Sequence, residues 1–334
     1  MNLKTGHWLD HFYSRVTHRG RLFQDGWGEP ALLEDMEKRD RTLVDLPEIN
    51  IAWDDRQTKV NSFVRYGTFQ SPCREDGFPE ESHTGHLCFV RPRKNHRQAI
   101  VLHLAATGEI GYQQRLFSMA LPLARQGVGS LILENPYYGL RKPEHQKQHL
   151  VRTVFDLGMM FRATVMEGVA ILRWARQQGW MKVAVSGCSM GGLAASVVSA
   201  LCGFPVALGG FLVPHSAVPI FTQGVLRREC DWSALKATTA HEDEAIQKLV
   251  AFLENVNLSA FPPPHQQEAA IIVNARDDAF VPGDSSQVIQ SLWPKAEMRL
   301  VDGGHVRAFL KERAFFQEAI HDALARVTPI NEES

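Results

Sequence analysis

The sequence has 334 residues, of which 44% are hydrophobic and 22% are charged, so it can bury roughly three quarters of its unfolded surface in one large domain or two small ones. Its 36 Lys and Arg residues nearly balance its 37 Asp and Glu residues, which leaves a net charge of -1. Without an overall positive field to attract a polyanion, the chain is not expected to bind nucleic acid.

The cysteines and the N-terminal stretch indicate the cellular compartment in which the protein is expected. The five cysteines are scattered and form no C-x-x-C pair, which favours a reducing compartment and offers no zinc-site spacing. The first twenty residues contain basic side chains but no apolar run of secretory length, and no segment is apolar enough for a membrane span. We expect a cytoplasmic protein, with organelle targeting or peripheral membrane contact through the basic start as the alternative.

The order of predicted elements changes at residue 67. Residues 1–66 mix aromatic and charged side chains, which predicts short helices wrapped around a larger unit. Residues 67–330 alternate short apolar runs with helical periodicity, which predicts a mostly parallel twisted sheet with helices on both faces. The predicted strands read GTFQSP, HLCFVRP, QAIVLHLAA, GVGSLILENP, KVAVSGCS, FPVALGGFLVP, AAIIVNARDD and AEMRLVDGG. The predicted helices cover 113–126, 147–178, 190–201, 242–256, 284–292 and 306–327.

One long insertion interrupts this alternation. Residues 215–266 carry no strand signal and include the charged helical stretch HEDEAIQKLVAFLENV. Their length and their position after a strand predict a small helical cap over the carboxyl ends of the strands. Part of it, PHSAVPIFTQGVL, is apolar enough to form a substrate pocket, and it reads equally well as a packing surface.

The stretch VAVSGCSMGG, residues 183–192, places Ser189 in a G-x-S-x-G pattern between an apolar strand and a helix. In such a sharp turn, a side chain two positions before or after the serine would collide with neighbouring backbone. Gly187 and Gly191 avoid those collisions. The pattern indicates a nucleophilic serine, and the alternative is a small-residue turn that only lets the helix pack on the sheet.

A serine hydroxyl is a weak nucleophile unless a base takes its proton and a third group orients that base. With this motif, the acid and then the histidine are expected after the serine along the chain. Asp277 and Asp278 directly follow a predicted strand, and His305 follows two glycines at the end of the last one. We predict a triad of Ser189, Asp278 and His305, with Asp277 solvated; an Asx-turn without catalytic role is the alternative for the aspartates.

The negative oxygen of a tetrahedral intermediate requires preorganised donors. The first expected donor is the backbone N–H of Met190, directly after the serine. The second is expected from the loop in VLHLAATGE, at Ala106 or Thr107, with His103 bracing that loop. No metal and no cofactor are expected, because a triad supplies both proton transfer and attack.

The segment ENPYYGLRKP follows a strand that ends at the same sheet edge as the serine turn. Its side chains Tyr137, Tyr138, Arg141 and Lys142 are therefore predicted to line the entrance, where the two cations would hold an anionic headgroup. A tight turn with packed tyrosines and solvated charges is the alternative.

Several motifs together make the chain resemble a known family. The stretches HLAATGEIGY, LILENPYYGLRKP, SGCSMGGLAAS, ARDDAFVP and DGGHVRAFL resemble the α/β-hydrolase domain-containing protein 18 family over nearly the whole chain. The resemblance implies the α/β-hydrolase fold and a triad at Ser189, Asp278 and His305. It also implies a lipid acyl ester as substrate, with phospholipids such as cardiolipin suspected for the animal relatives. The chain departs from the family in its Ala-Ala-Thr-Gly loop, where Ala-Gly-Thr-Gly is usual, and in its shorter cap.

Residues and resemblance lead to one functional prediction, a serine hydrolase that cleaves a small-molecule or lipid acyl ester through an acyl-enzyme. Peptidases, thioesterases and acyltransferases use the same triad and are alternatives, because fold and triad do not specify the leaving group. A catalytically silent homologue that only binds a ligand is the further alternative, since the oxyanion loop is altered.

Overall fold

Each apolar run predicted from residue 67 onward forms a strand of one sheet. The computed structural model describes residues 8–17, 21–38, 42–43, 45–54, 58–60, 62–92, 97–147, 149–239 and 241–329. The strands in these ranges are β1 Ala52–Trp53, β2 Thr58–Val60, β3 Ser62–Gln70, β4 Thr84–Arg91, β5 Ala99–Leu104, β6 Gly129–Leu133, β7 Lys182–Cys188, β8 Ala207–Phe211, β9 Ala270–Ala275 and β10 Glu297–Val301.

The sheet is mostly parallel, as predicted. Its strand order is β1-β3-β4-β6-β5-β7-β8-β9-β10, and β2 pairs with β3. The pairs from β6 through β10 are parallel, whereas β1, β2, β3 and β4 add an antiparallel edge. Strand β3 runs across residue 66, so the predicted boundary between an N-terminal wrap and the main domain falls inside a strand.

The α-helices in the described ranges connect and cover these strands. They are α1 Trp8–Thr17, α2 Pro30–Lys38, α3 Gln113–Arg115, α4 Leu121–Arg125, α5 Val154–Gln177, α6 Met190–Leu201, α7 Val218–Thr222, α8 Trp232–Lys236, α9 Glu242–Leu253, α10 Ser285–Leu292, α11 His305–Lys311 and α12 Arg313–Arg326. A π-helical stretch, Leu116–Ala120, joins α3 to α4. No helix within the described ranges is long and apolar enough to cross a membrane.

Both faces of the sheet are covered, because alternate residues of each buried strand point to opposite sides. Leu102 of β5 belongs to the core cluster that α5 and α6 share with the sheet. The adjacent Val101 belongs to the cluster formed with α4 and α12. The cap helices α7, α8 and α9 fall within the predicted insertion 215–266.

Two of the predicted helices differ most from the structure in their bounds. The stretch predicted from 147 becomes helical only at Val154, because Thr153 accepts from the Asp156 N–H while the Asp156 side chain accepts from the Thr153 N–H. This capping box satisfies two otherwise unpaired N–H groups and fixes the start of α5. The predicted C-terminal helix is divided at Glu312, which ends α11 and precedes α12.

Candidate active site

Ser189 lies in a strained turn between β7 and α6. Its φ of 57° and ψ of -120° fall outside the regions that a residue with a side chain usually adopts, so the turn stores backbone strain. The Ser189 N–H donates to the carbonyl of Phe211 at 2.8 Å, which ties the turn to β8. A Cβ on Gly191 would lie 2.6 Å from the Ala105 carbonyl oxygen, and one on Gly187 would collide with Gly191. The two glycines are therefore required by close backbone contacts.

Asp278 and His305 meet at the carboxyl ends of β9 and β10. Asp278 Oδ2 lies 2.6 Å from His305 Nδ1, while Asp278 Oδ1 accepts from the N–H groups of Phe280 and Val281. The carboxylate is thus held by its own loop and fixes the Nδ1 edge of the imidazole. The neighbouring Asp277 has an exposed side chain, so the structure brings Asp278 rather than Asp277 to the histidine.

A second carboxylate, which the sequence did not indicate, lies beside the histidine turn. Asp10 of α1 accepts hydrogen bonds from the backbone N–H groups of Ala279, His305 and Val306. Burial lowers the pKa of His305, but the Asp278 carboxylate and, to a smaller degree, Asp10 raise it, and the net pKa lies above its ordinary value. The site therefore favours a positive charge on this imidazole.

Ser189 and His305 line the same cavity. No hydrogen bond joins Ser189 Oγ to His305 Nε2 in the described structure, where the histidine ring is held through Nδ1. Bonds between a nucleophile and its base are often long before a substrate binds and shorten in the reactive complex. The arrangement thus presents an oriented imidazole and a strained serine to one cavity.

The three predicted oxyanion donors differ in what their N–H groups contact. The N–H of Ala106 donates to Glu109 Oε2 at 3.1 Å, so it is already engaged. Neither Thr107 nor Met190 donates its N–H to another described residue. Met190 is the first residue of α6, where N–H groups lack partners within the helix. The geometry favours Met190 and Thr107 over Ala106 as a pair of donors.

A buried ion pair holds the loop that carries Thr107. Arg115 Nε donates to Glu109 Oε1 at 2.8 Å, and its other nitrogens donate to the carbonyls of His103, Leu133 and Gly111. Because Arg115 joins two strand ends to the loop, the backbone around Thr107 is anchored on several sides. Sequence reasoning did not identify Glu109 or Arg115, whose six-residue separation carries no recognisable motif.

His103 occupies a structural position beneath the site. Its Nδ1 lies 2.8 Å from Ser186 Oγ and its Nε2 lies 3.0 Å from Ser130 Oγ, so it joins three neighbouring strands. Burial and the positive charge of Arg115 lower the pKa of His103 to about 3. The ring is therefore neutral at physiological pH. Its hydrogen bonds reach the neighbouring strands β6 and β7 and not the loop that it was expected to brace.

The expectation that Arg141 lines the entrance requires correction. Its side chain is fully buried and forms a bidentate ion pair with Glu167 of α5. It also donates to the carbonyls of Ser82 and Glu134. A guanidinium that already makes these bonds has no exposed face for an anionic headgroup.

The neighbours of Arg141 in the same segment have different positions. Lys142 Nζ donates to the carbonyls of Pro143 and Gln146, so it closes a turn and is not among the described residues that line the cavity. Tyr137 is 1% exposed and also lies outside that lining. Tyr138 does line the cavity, and its Oη accepts from the Gly108 N–H at 3.3 Å. Of the predicted entrance residues, the structure brings only Tyr138 to the site.

The cavity has a volume of about 430 Å³ and a mainly apolar lining. Leu157 and Phe161 of α5 form one wall, and the cap contributes Ile220, Phe221 and Phe252. Further lining comes from Ala217 and Leu226, within the apolar cap stretch noted in the sequence. A smaller cavity of about 70 Å³ lies beyond and shares Gly158, Phe161, Phe252 and Val256 with the first.

The thiol next to Ser189 and the distribution of potential metal ligands complete the description of the site. Cys188 precedes Ser189, but burial raises the pKa of its thiol well above its ordinary value, so it stays protonated and weakly reactive. Within the described ranges, no group of three or more His, Cys, Asp or Glu side chains is arranged to hold a metal ion.

Comparisons with known proteins agree with this architecture. The model of the family "Alpha/beta hydrolase domain containing 18" matches residues 20–251 and 236–326. An acetyl xylan esterase from Paenibacillus sp. R4 is 12% identical with a TM-score of 0.59, over 89% of this chain and 96% of that one. Acetyl xylan esterase 1 from Thermoanaerobacterium sp. JW/SL YS485 is 14% identical with a TM-score of 0.51, over 90% and 96%. Est1E from Butyrivibrio proteoclasticus, solved with ferulic acid bound, is 12% identical with a TM-score of 0.51, over 73% and 96%. The predicted α/β-hydrolase fold is confirmed.

Proposed function

We propose that this chain, which belongs to the alpha/beta hydrolase domain containing 18 family, is a serine hydrolase that cleaves acyl esters through an acyl-enzyme. One observation carries the proposal: a serine in a strained strand-to-helix turn shares a cavity with an imidazole whose Nδ1 is bonded to a buried carboxylate. This arrangement corresponds in its parts to the nucleophile, base and orienting acid of serine hydrolases.

In the proposed first half-reaction, Ser189 Oγ attacks the carbonyl carbon of the ester while His305 Nε2 takes the hydroxyl proton. The carbonyl π bond opens to place a negative charge on oxygen, which the N–H groups of Met190 and Thr107 stabilise. The tetrahedral intermediate then collapses, the bond to the alcohol oxygen breaks, and His305 returns its proton to the departing alcohol. Asp278 stabilises the imidazolium throughout.

In the second half-reaction, water attacks the acyl-enzyme and His305 again accepts the proton. Breakdown of the second tetrahedral intermediate releases a carboxylic acid and returns the proton to Ser189. The cycle needs no redox change and no other reactant than water.

The substrate class follows from the cavity. A volume of about 430 Å³ lies within the range of small-molecule sites, and its apolar walls at Leu157, Phe161 and Phe252 suit a hydrocarbon chain. We infer that the acyl group occupies the space between α5 and the cap, with the ester carbonyl at Ser189. A lipid or phospholipid ester is the substrate class that this inference favours.

Labelling with a fluorophosphonate tests the proposal. The reagent modifies a serine only when a base activates it, so we expect the wild type to be labelled and Ser189→Ala not to be. Ser291→Ala, a substitution on the exposed face of α10, should label like the wild type. Failure of the wild type to label, or equal labelling of Ser189→Ala, would contradict the proposal.

A substrate panel then separates the ester hydrolase from its alternatives. Nitrophenyl esters of increasing acyl length, a phospholipid, an acyl thioester and a peptide anilide would be compared by kcat/KM. We expect esters with medium or long acyl chains to be preferred. Preferential cleavage of the anilide or the thioester would contradict the proposed substrate class while retaining the serine mechanism.

A further inference from the structure

Helix α1 has an unusual distribution of side chains. Trp8 is 70% exposed and Phe12 is 58% exposed, whereas Asp10 is 0% and Ser14 is 4% exposed. A helix that docks on a protein normally buries its apolar face. Here the two polar residues, one helical turn apart, face the protein, so specific polar contacts determine how this face of the helix is attached.

Asp10 supplies a cap that the local sequence lacks. Helix α11 begins at His305 and follows Gly304, which has no side chain with which to accept from the first N–H groups of the helix. Asp10 Oδ2 accepts from the His305 N–H at 2.9 Å, and Asp10 Oδ1 accepts from the Val306 N–H at 2.9 Å. A carboxylate at the N-terminus of a helix is also favoured by the helix dipole.

The same carboxylate also binds the loop that carries the acid. Asp10 Oδ2 accepts from the N–H of Ala279 at 3.1 Å, and Ala279 is the residue directly after Asp278. One buried side chain therefore bonds to the backbone of the histidine and to the backbone next to its acidic partner. The two segments are also joined by a bond from the Asp277 N–H to the Gly303 carbonyl at 3.1 Å.

We propose that Asp10 is a positioning residue for the hydrolytic site, which fixes the turn of His305 against the loop of Asp278. The inference rests on the proposed function of Ser189 and His305. Asp10 is not among the described residues that line the cavity, so it acts through the backbone and through its charge. Loss of the carboxylate leaves three buried N–H groups without an acceptor, and the turn shifts or admits water to satisfy them.

The charge of Asp10 adds to that of Asp278 in stabilising the imidazolium. The other titratable or charged side chains that share the cavity with His305 are Tyr13, Glu109, Tyr138, His149, Cys188 and Arg313. Among these, Glu109 is paired with Arg115. Removal of Asp10 alone is therefore expected to lower the pKa of His305 and to move the acid limb of the pH–rate profile to lower pH.

The test compares Asp10→Ala and Asp10→Asn with the wild type in hydrolysis of p-nitrophenyl butyrate. A misplaced imidazole should lower kcat by about 10- to 100-fold, with KM within about twofold because the acyl-binding walls on α5 and the cap are unchanged. Asp10→Asn keeps the size and one acceptor oxygen, so it should retain more activity than Asp10→Ala. It should nevertheless show the same shift of the acid limb, since it has lost the charge.

Ser14→Ala is the matched control. Ser14 lies one turn after Asp10 on the same buried face, but its Oγ donates to Glu229 at 2.8 Å, remote in sequence from the histidine turn. Its substitution should loosen the docking of α1 and leave the acid limb unchanged. Ser14→Ala could lower kcat and shift the acid limb of the pH–rate profile as much as the Asp10 variants do. In that case, the docking of α1 alone explains both changes and the proposal is overturned. Unchanged kcat in a folded Asp10→Ala would also overturn it.

A readout without turnover separates this proposal from the proposed function. The pKa of His305 can be followed by NMR titration of ¹³C-histidine-labelled protein, with the signal assigned through His305→Gln. A lower His305 pKa in Asp10→Asn than in the wild type supports the positioning role even if no ester is hydrolysed. An unchanged pKa contradicts it even if hydrolysis is confirmed. Asp10→Asn, which preserves shape, carries the test if Asp10→Ala does not fold.

Discussion

His305 experiences opposing influences on its charge. Its burial among cavity side chains disfavours the imidazolium, whereas Asp278 and, to a smaller degree, Asp10 favour it, and the balance raises its pKa. A general base must be neutral to accept a proton. A raised pKa therefore means that activity is lost at a higher pH than for an ordinary histidine as the solution is acidified. In the proposed mechanism, the same carboxylates stabilise the charged ring that forms during attack.

Replacement of the acid gives a prediction at this scale. Asp278→Asn should lower kcat by roughly ten thousandfold, because an amide can hold the imidazole in the wrong tautomer and no longer balances its positive charge. Asp277→Asn, an exposed position one residue away, should leave the rate nearly unchanged. Steady-state kinetics between acidic and neutral pH would measure both, and the wild-type acid limb should lie above the ordinary imidazole value of about 6.5. Comparable losses in the two variants would contradict the assignment of the acid.

Local patterns predicted some of these residues and not others. The strained turn at Ser189 is encoded by nearby glycines, so the sequence could indicate it. Arg141 was misplaced because its charge partner, Glu167, is 26 residues away, and nothing local shows that both are buried. Asp10 was missed for the same reason, since its contacts at His305 lie 295 residues along the chain.

Helix α5 shows how its capping residues fix its start and how a buried side chain attaches it to the rest of the fold. Its apolar spacing predicted the helix, and the capping box at Thr153 and Asp156 sets a start that periodicity alone put seven residues too early. Its interior also carries Glu167, which is fully buried and accepts from Arg141 and from Ser71 Oγ. The helix is therefore attached to the segment after β6 by an ion pair and to Ser71, directly after β3, by a hydrogen bond, as well as by apolar packing.

Loss of one member of this buried pair should destabilise the protein strongly. Glu167→Gln leaves the Arg141 guanidinium buried without its counter-ion, and such a change typically costs about 3–5 kcal/mol of unfolding free energy. The matched control is Glu75→Gln, which alters the ion pair in which Arg162 Nε of the same helix donates to both Glu75 oxygens, and where the side chains are 18–19% exposed. That change should cost about 1 kcal/mol. Urea unfolding measures the free energy of unfolding of both variants. Equal decreases would show that the buried pair contributes no more to stability than the partly exposed one.

At the scale of the whole molecule, the cap and the ends of the strands border one cavity, which Ser189 and His305 line. The strands deliver Ser189, Asp278 and His305 to one edge, as the alternation of strands and helices predicted. The insertion supplies Phe221 and Phe252 opposite them. The existence of the cap could be read from the missing strand signals, but the shape of the cavity depends on side chains from distant elements and could not.

The junction between the two cavities gives a prediction at this scale. Phe252 lines both the larger and the smaller cavity, so Phe252→Ala should join them and shift the preference toward longer acyl chains. Leu249→Ala, on the same helix and fully buried but outside the lining of either cavity, should lower stability without that shift. Ratios of kcat/KM across nitrophenyl esters from acetyl to palmitoyl would show the difference. An identical chain-length profile in both variants would contradict an acyl group between α5 and α9.

The bond between Asp10 and the His305 turn spans 295 residues, and this separation has a consequence for biosynthesis. At roughly 5–20 residues per second, a ribosome needs on the order of 15–60 s to reach the second partner after the first has emerged. Ser189 has been translated well before then. The contacts between Asp10 and the His305 turn can form only after most of the chain has been synthesised, so on the proposed function the site reaches its full arrangement late in biosynthesis.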